Sequence, residues 1–489
     1  MRLVMKFGGT SVGSADAIRQ VTEIVGAYAR DHEVVVVVSA MNAPDLRTTD
    51  TLIAAAKAAA SGDGNATAQV APRLLDLHMR VANELVTPEE RAALEPEIRA
   101  MLDYMSDLSR SIAVLGELTP RALDLFSGLG ERLNARLIAA ALRSAGIDAE
   151  AIDATELIVT DDRYGNASPI EPDTRERSRA RLLPLLAAKR VPVVTGFIGA
   201  TRAGVPTTLG RGGSDYTCAI LGADLDADEV WFWKEVDGVL SANPKVVPEA
   251  RTLPRLSYAE MGEMAYYGAN VLHPKTVQPL VHRRIPIRIR NTFNPSHPGT
   301  LIDAEGDGES VRAITAIKGL SLITVGGPGM LGLTGVAARI FGAVARVGAN
   351  VLLISQASSE QSVCFAVPGD EAAKVVNELR CELDREFAAH DVEHIGTITP
   401  VVIVAVVGSG MRGTPGIAGR VFGALGAAGV NVIAIAQGST ENNISLVVSE
   451  ADADKAVRAV HGAFVTTNGG TNRFVELHGC AVPPCGRNG

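Results

Sequence analysis

The chain opens on a stretch that could bind phosphate, "VMKFGGTSVGS", residues 4–14. Lys6 closes a short apolar run and precedes Gly8, Gly9, Thr10, Ser11 and Gly13. In a Walker loop the lysine follows the glycines at the mouth of a helix. Here it leaves the end of a strand, so Gly8, Gly9 and Gly13 and a helix start near Ala15 can offer backbone N–H groups to phosphate oxygens. Lys6 would then reach forward as a point charge on a transferred phosphoryl group. By itself this turn serves structure as readily as chemistry. Two more turns accompany it: "TTLGRGGSDYT" (207–217), with Arg211, Ser214 and Asp215, and "EVDGVLSANPK" (235–245). Polar, glycine-bearing turns that follow three strands of one sheet converge on one edge, where α/β proteins place ligands.

The elements that must position these turns are legible as β-branched runs: "LVMKFGG", "EVVVVVSAM", "RVPVVTGFIG", "EVWFWKEV" and "IPIRIRNTF". Ala/Leu-rich helical stretches lie between them. Continuous apolar strands alternating with helices predict an α/β/α sandwich with a mostly parallel sheet over residues 1–294. Residues 51–115 read as a helical insertion, broken at "SGDGNAT". The Pro/Gly-rich, acidic segment 295–316 reads as a linker. Beyond it "GANVLLISQASSEQSVCFAVP" recurs as "GVNVIAIAQGSTENNISLVVS", from 348 to 429, an offset of 81 residues. This predicts two α+β modules, 317–398 and 399–478, with a tail at 479–489. In the second, Thr414 and Pro415 predict a helix start. In the first, Val336, Ile340, Val344 and Val347 predict an apolar helix stripe.

Composition narrows the function classes. A net charge of −9 argues against a nucleic-acid binder. The aliphatic run Val34–Val38 is too short to span a bilayer, so no membrane partner is expected. "MRLVMK" is not followed by a signal-peptide pattern, and a cytoplasmic location is expected. Five scattered cysteines suit reduced thiols. Cys480 and Cys485 have only His478 nearby, so no metal site is expected there.

Taken together, "KFGGTSV", "GFIG" with "TTLGRGGSDYT", "EMGEMAYYGANVLHPKT" and the tandem modules resemble the aspartokinases. The resemblance spans nearly the whole chain. It implies the amino acid kinase fold followed by two ACT domains, and phosphorylation of the aspartate side-chain carboxylate with MgATP. That carboxylate is already ionised near neutral pH and needs no general base. The obstacle is anion meeting anion, so the site must neutralise and align. By resemblance, Lys6 stabilises the γ-phosphoryl oxygens and Asp215 orients Lys6 or completes the pocket. Arg211 offers a planar fork to the α-carboxylate. Glu131, in "GERLNA", holds the substrate ammonium, and Ser39, Thr49, Phe197 and Ser214 complete the pocket. Gly8 and Gly9 join the nucleotide side. His273, in "VLHPKT", is read as structural.

The nucleotide-side motif departs from the family's W-T-D-V-D-G. Here it reads Trp233-Lys234-Glu235-Val236-Asp237-Gly238. A usual tyrosine is Leu240, a usual arginine is Lys245, and the lysine often found before "VLHP" is Asn270. Lys234 either supplies the charge missing at 270 or snorkels to solvent. Two other readings are another member of the same fold family, such as an acetylglutamate-type or nucleoside-monophosphate kinase, and an amino-acid sensor with a decayed kinase site. Only "RFVELHGCAVPPCGRNG" follows the second module, so a monofunctional chain is expected. ACT modules imply a homodimer or larger homo-oligomer. Gln356 and Gln437, with Asn350 and Asn431, offer paired amides to an amino-acid effector. These segments resemble those of the threonine-sensitive aspartokinases, which implies threonine ahead of lysine as the effector; a lysine tail would want a carboxylate at depth, and Glu360 and Glu441 lie beyond the turns.

Overall fold

The computed structural model describes residues 1–267, 272–308, 310–332, 334–356 and 361–464. Asn270, Glu360, Cys480 and Cys485 lie outside the described residues. An eight-stranded sheet organises the first three hundred residues. From edge to edge it runs Arg255–Ser257, Thr300–Asp303, Ile287–Asn291, Glu229–Lys234, Arg2–Phe7, Glu33–Val38, Val191–Thr195 and Ala149–Ile152. Every neighbouring pair is parallel except Ile287–Asn291 with Thr300–Asp303.

Alternation along the central strands separates two cores. Leu3, Met5, Phe7, Val34, Val36 and Val38 pack with the helical insertion. Val4, Val35, Val37, Val230 and Phe232 pack on the other face, under Gly213–Asp224. The period of two therefore puts Lys6 and Lys234 on that same face, at the ends of adjacent strands. The insertion is three helices: Thr48–Ala60, Val70–Leu85 and Pro88–Leu115. Thr87 caps the last with Pro88 at its first position, and Gly116 ends it in the left-handed region.

The stretch 295–316 is not only a connector. Thr300–Asp303 belongs to the kinase-side sheet, and Thr300 is fully buried. Its hydroxyl accepts from Val239 N–H (2.8 Å) and donates to Leu253 O (2.6 Å). Ala313–Gly326 is one long strand that begins inside the expected linker.

The two repeat modules share a six-stranded sheet and are interleaved. Residues 313–317 pair with 407–403 and pack in the core of the second module, with Ile417, Val421 and Val457. Residues 322–326 pair with 398–394, and Ile323 and Val325 join the first module's core with Val336, Ile340 and Val344. The first module is thus inserted into the second, and each long strand serves both. The stripe Val336, Ile340, Val344 is buried, with Val347 packed beside it. The second module's helix starts later than expected, at Ile417, with Gly416 in the left-handed region (φ 86°) before it. Thr414 instead donates its hydroxyl to Gly410 O within a turn.

Candidate active site

Three strand ends and three helix starts enclose a cavity of 720 Å³. Lys6, Ser39, Thr49, Glu131, Phe197, Arg211, Ser214 and Asp215 all line it. Lys6 is almost fully buried, and its Nζ lies 2.6 Å from Asp215 Oδ1. Lys234 Nζ lies 3.5 Å from Asp215 Oδ2. One carboxylate in the first turn of helix Gly213–Asp224 thus joins the two strand-end lysines. Burial alone would raise the Asp215 carboxyl, but the two ammonium groups outweigh it and hold it below its usual range. Burial pushes Lys234 down and Lys6 pushes it further, while Asp215 counters both. Lys234 is turned inward onto Asp215 and does not snorkel to solvent.

Arg211 is exposed and makes no ion pair among the described residues. Its turn is set by Gly212, whose φ of 74° suits glycine and starts the helix. Phe197 also has a positive φ, 71°, which costs about 1–3 kcal/mol in a non-glycine residue. Its N–H donates to Thr217 Oγ1 (3.1 Å) and its carbonyl accepts from Leu209 N–H (2.9 Å). These bonds fix the ring against Gly213.

Glu131 sits in the first turn of helix Leu129–Ser144, and its Oε2 has no hydrogen-bond partner among the described residues. Burial pushes its carboxyl up to about 7, against the pull of nearby backbone amides and Lys6. Neighbouring Asn134 donates to Ser39 O (2.6 Å) and so anchors the strand end that carries Ser39.

The glycine turn has two kinds of glycine. A Cβ at Gly13 would lie 2.4 Å from Asn42 O, and one at Gly9 would lie 2.9 Å from Asn42 Cβ. Both let the turn dock on the neighbouring loop, where Asn42 N–H donates to Gly9 O (3.1 Å). Gly13 N–H donates to Thr10 O (3.3 Å), so it serves the turn and not a phosphate cradle. A Cβ at Gly8 would face Lys6 Nζ at 3.6 Å, the direction from which an anion must approach. Glu235 and Lys245 are exposed and lie outside this cavity. Asp237 is held by Asn291 (2.8 Å) and Asn294 (3.0 Å). His273 caps helix Pro274–Arg283, accepting from Lys275 N–H (3.3 Å).

Sequence reasoning missed several lining residues: Asn42, Arg47, Thr48, Asp124, Ser127 and Thr208. Thr48 is buried with its hydroxyl unpartnered among the described residues, whereas Thr49 is half-buried. Asp124 and Ser127 stand seven and four residues before Glu131. They end one helix and Glu131 starts the next, so no single helical period links them.

Comparison with known proteins agrees with this fold. A family model described as the amino acid kinase family matches residues 1–291, and an ACT domain model matches 323–383 and 404–464. Aspartokinase 3 of Arabidopsis thaliana is 35% identical over 475 residues, covering 95% of this chain and 82% of that protein. The chain belongs to the aspartokinases, within the amino acid kinase family. A bifunctional aspartokinase/homoserine dehydrogenase of Zea mays is 40% identical over 471 residues, 94% of this chain and 50% of that protein. The chain spans about half the length of such bifunctional curated relatives. E. coli aspartokinase III with aspartate and ADP superposes with a TM-score of 0.76 at 29% identity, covering 95% and 99% of the two chains. The same enzyme with lysine and aspartate gives 0.74 at 30% identity, with the same coverage. No described helix is long and apolar enough to cross a membrane.

Proposed function

We propose that the chain transfers the γ-phosphoryl group of ATP to the side-chain carboxylate of L-aspartate, giving 4-phospho-L-aspartate. The observation that carries this is the paired lysine centre on Asp215, at a cavity that also holds an arginine without an ion pair among the described residues and a buried glutamate with one oxygen unpartnered among them. Arg211 takes the α-carboxylate with its planar fork. Glu131 takes the ammonium, with Ser39, Thr49, Phe197 and Ser214 shaping the space between. The acceptor carboxylate then points at Lys6. Asp215 fixes the direction of the Lys6 ammonium, which lies where charge gathers on the transferred group.

ATP would lie across the ends of the strands Arg2–Phe7 and Glu229–Lys234, along Gly8, Gly9, Lys234, Glu235 and Lys245, with Asn270 as a further candidate contact. The cationic strand ends fit a polyanion. The described residues hold no group of three or more His, Cys, Asp or Glu side chains placed to bind a metal. A magnesium ion would come with the phosphates rather than be held by a protein cage, and would supply positive charge to neutralise them.

The ACT modules give the reading its regulation, with an amino-acid effector. Asn350, Gln356, Asn431 and Gln437 are all exposed at the two outer strands of the shared sheet. Their paired amides suit a hydroxyl-bearing amino acid, threonine ahead of lysine. Gln356→Ala and Gln437→Ala should each raise the threonine concentration that halves activity. Inhibition by lysine alone would overturn the threonine assignment. The decisive kinetic test of the site is ADP formation with L-aspartate and MgATP. Lys6→Met should lower kcat by about 100-fold or more, and Lys234→Ala should raise the KM for ATP several-fold with the KM for aspartate unchanged. Undiminished turnover in Lys6→Met would refute the reading.

A further inference from the structure

A buried carboxylate outside the expected site residues ties together the turn that carries Arg211. Asp124 lies in helix Pro120–Ser127, is 3% exposed, and reaches the cavity wall. Its Oδ2 accepts from Gly165 N–H (2.9 Å) and Thr208 N–H (3.0 Å), and its Oδ1 accepts the Thr208 hydroxyl (2.7 Å). Thr208 in turn accepts Ala167 N–H at its carbonyl (2.9 Å). One residue on, Leu209 N–H binds the carbonyl of strained Phe197. Gly210 then turns left-handed, closed by Gly213 N–H on its carbonyl (3.0 Å), and Arg211 sits in that turn.

Among the described residues the exposed guanidinium has no ion-pair or hydrogen-bond partner, so the backbone beneath it sets its direction. That backbone is fixed on one side by helix Gly213–Asp224 and on the other by Thr208. Three hydrogen bonds on one buried carboxylate are a costly arrangement for a surface turn, since each amide would orphan without it. A side chain meant only to fill the core here would be apolar.

The geometry points to Asp124 as a positioning residue that aims Arg211, and thereby sets the site's preference for a substrate bearing an α-carboxylate. This rests on the reading that Arg211 binds that group. Asp124 does not touch the reacting atoms. It acts through Thr208, and its loss frees the turn while leaving Lys6, Asp215 and Glu131 in place.

The test compares L-aspartate with β-alanine, which keeps the ammonium and the acceptor carboxylate but lacks the α-carboxylate. In Asp124→Ala the Gly165 and Thr208 N–H donors and the Thr208 hydroxyl lose their acceptor. We expect the KM for L-aspartate to rise about tenfold, because a displaced positioning group costs one to two decades. The KM for ATP and the competitive inhibition constant of β-alanine should each stay within about twofold on the same argument. Thr208→Val removes only the 2.7 Å bond and should shift the same ratio in the same direction by less. It carries the comparison if Asp124→Ala does not accumulate folded. Equal weakening of aspartate and β-alanine would overturn the inference and leave Asp124 a structural residue. Arg211→Ala is the control: if it too leaves the ratio unchanged, the α-carboxylate reading itself fails.

Discussion

Glu131 is the residue on which the chemistry and the physics of burial meet most sharply. Its carboxyl is pushed up to about 7 because it sits buried with one oxygen unpartnered. A substrate ammonium would complete it and favour the ionised form. Below that pH the empty site holds a neutral acid. The KM for L-aspartate should therefore rise roughly tenfold per pH unit on the acid side of about pH 7. Glu131→Gln should raise the KM and flatten that limb. The same shift has a stability consequence. A carboxyl whose folded pKa is raised contributes its stability below the unfolded value of 4.5, and loses it as pH climbs through 7. Over that window the empty site forfeits roughly 3 kcal/mol. Added aspartate should thus raise Tm more at pH 8 than at pH 6, and an equal shift at both would contradict the burial argument. At this scale the sequence was informative where motif and strand alternation coincide. Lys6, Arg211, Glu131 and Asp215 could be singled out because each sits at a strand end or helix start. Asp124 could not, since its main partner Thr208 is 84 residues away. Thr48 was passed over for Thr49 because nothing local tells which of two adjacent threonines turns inward.

At the scale of elements, the β-branched runs marked the central strands well, since continuous apolar strands are a reliable sign of a sheet covered on both faces. Two misreadings have local causes. The Pro/Gly density of Asn294–Gly299 concealed Thr300–Asp303, whose place depends on pairing with Ile287–Ile289. Thr414-Pro415 looked like a helix start, but the chain spends Ser409–Met411 on a short 3-10 turn and enters the helix through Gly416. That same turn is gripped from the kinase side. Glu260, fully buried in helix Tyr258–Tyr266, accepts from Ser257 N–H (2.7 Å) and Oγ (3.0 Å) on one oxygen. Its other oxygen accepts from Ser409 N–H (2.9 Å) and Oγ (2.8 Å). Glu260→Ala should strip a helix cap and an interdomain contact together, orphaning buried donors at about 1–3 kcal/mol. Calorimetry should show a lower Tm, and Glu260→Gln a smaller loss. An unchanged Tm in both would mean the clasp contributes nothing.

For the whole molecule, the interleaving of the two modules was beyond reach from sequence. A repeat at a constant offset reads as two units in series, and only the strand register shows that 313–317 belongs with 403–407. The shared sheet leaves two outer strands, Leu353–Gln356 and Ala434–Ala436, each with an exposed isoleucine at the matching repeat position. Ile354 is 50% and Ile435 is 44% exposed. Exposed apolar side chains on outer strands favour association with another copy. Light scattering at micromolar concentration should give at least a dimer mass, and Ile354→Lys should lower it. A monomer for the unaltered chain would contradict this.

The central claim, that the lysine-paired cavity drives phosphoryl transfer onto the aspartate side chain, is tested most directly by trapping the product. The purified chain is incubated with MgATP, L-aspartate and hydroxylamine, which converts an acyl phosphate to a hydroxamate. The account predicts aspartyl hydroxamate in step with ADP, and near-background amounts in Lys6→Met. ADP release without hydroxamate, or hydroxamate from acetylglutamate but not aspartate, would contradict it.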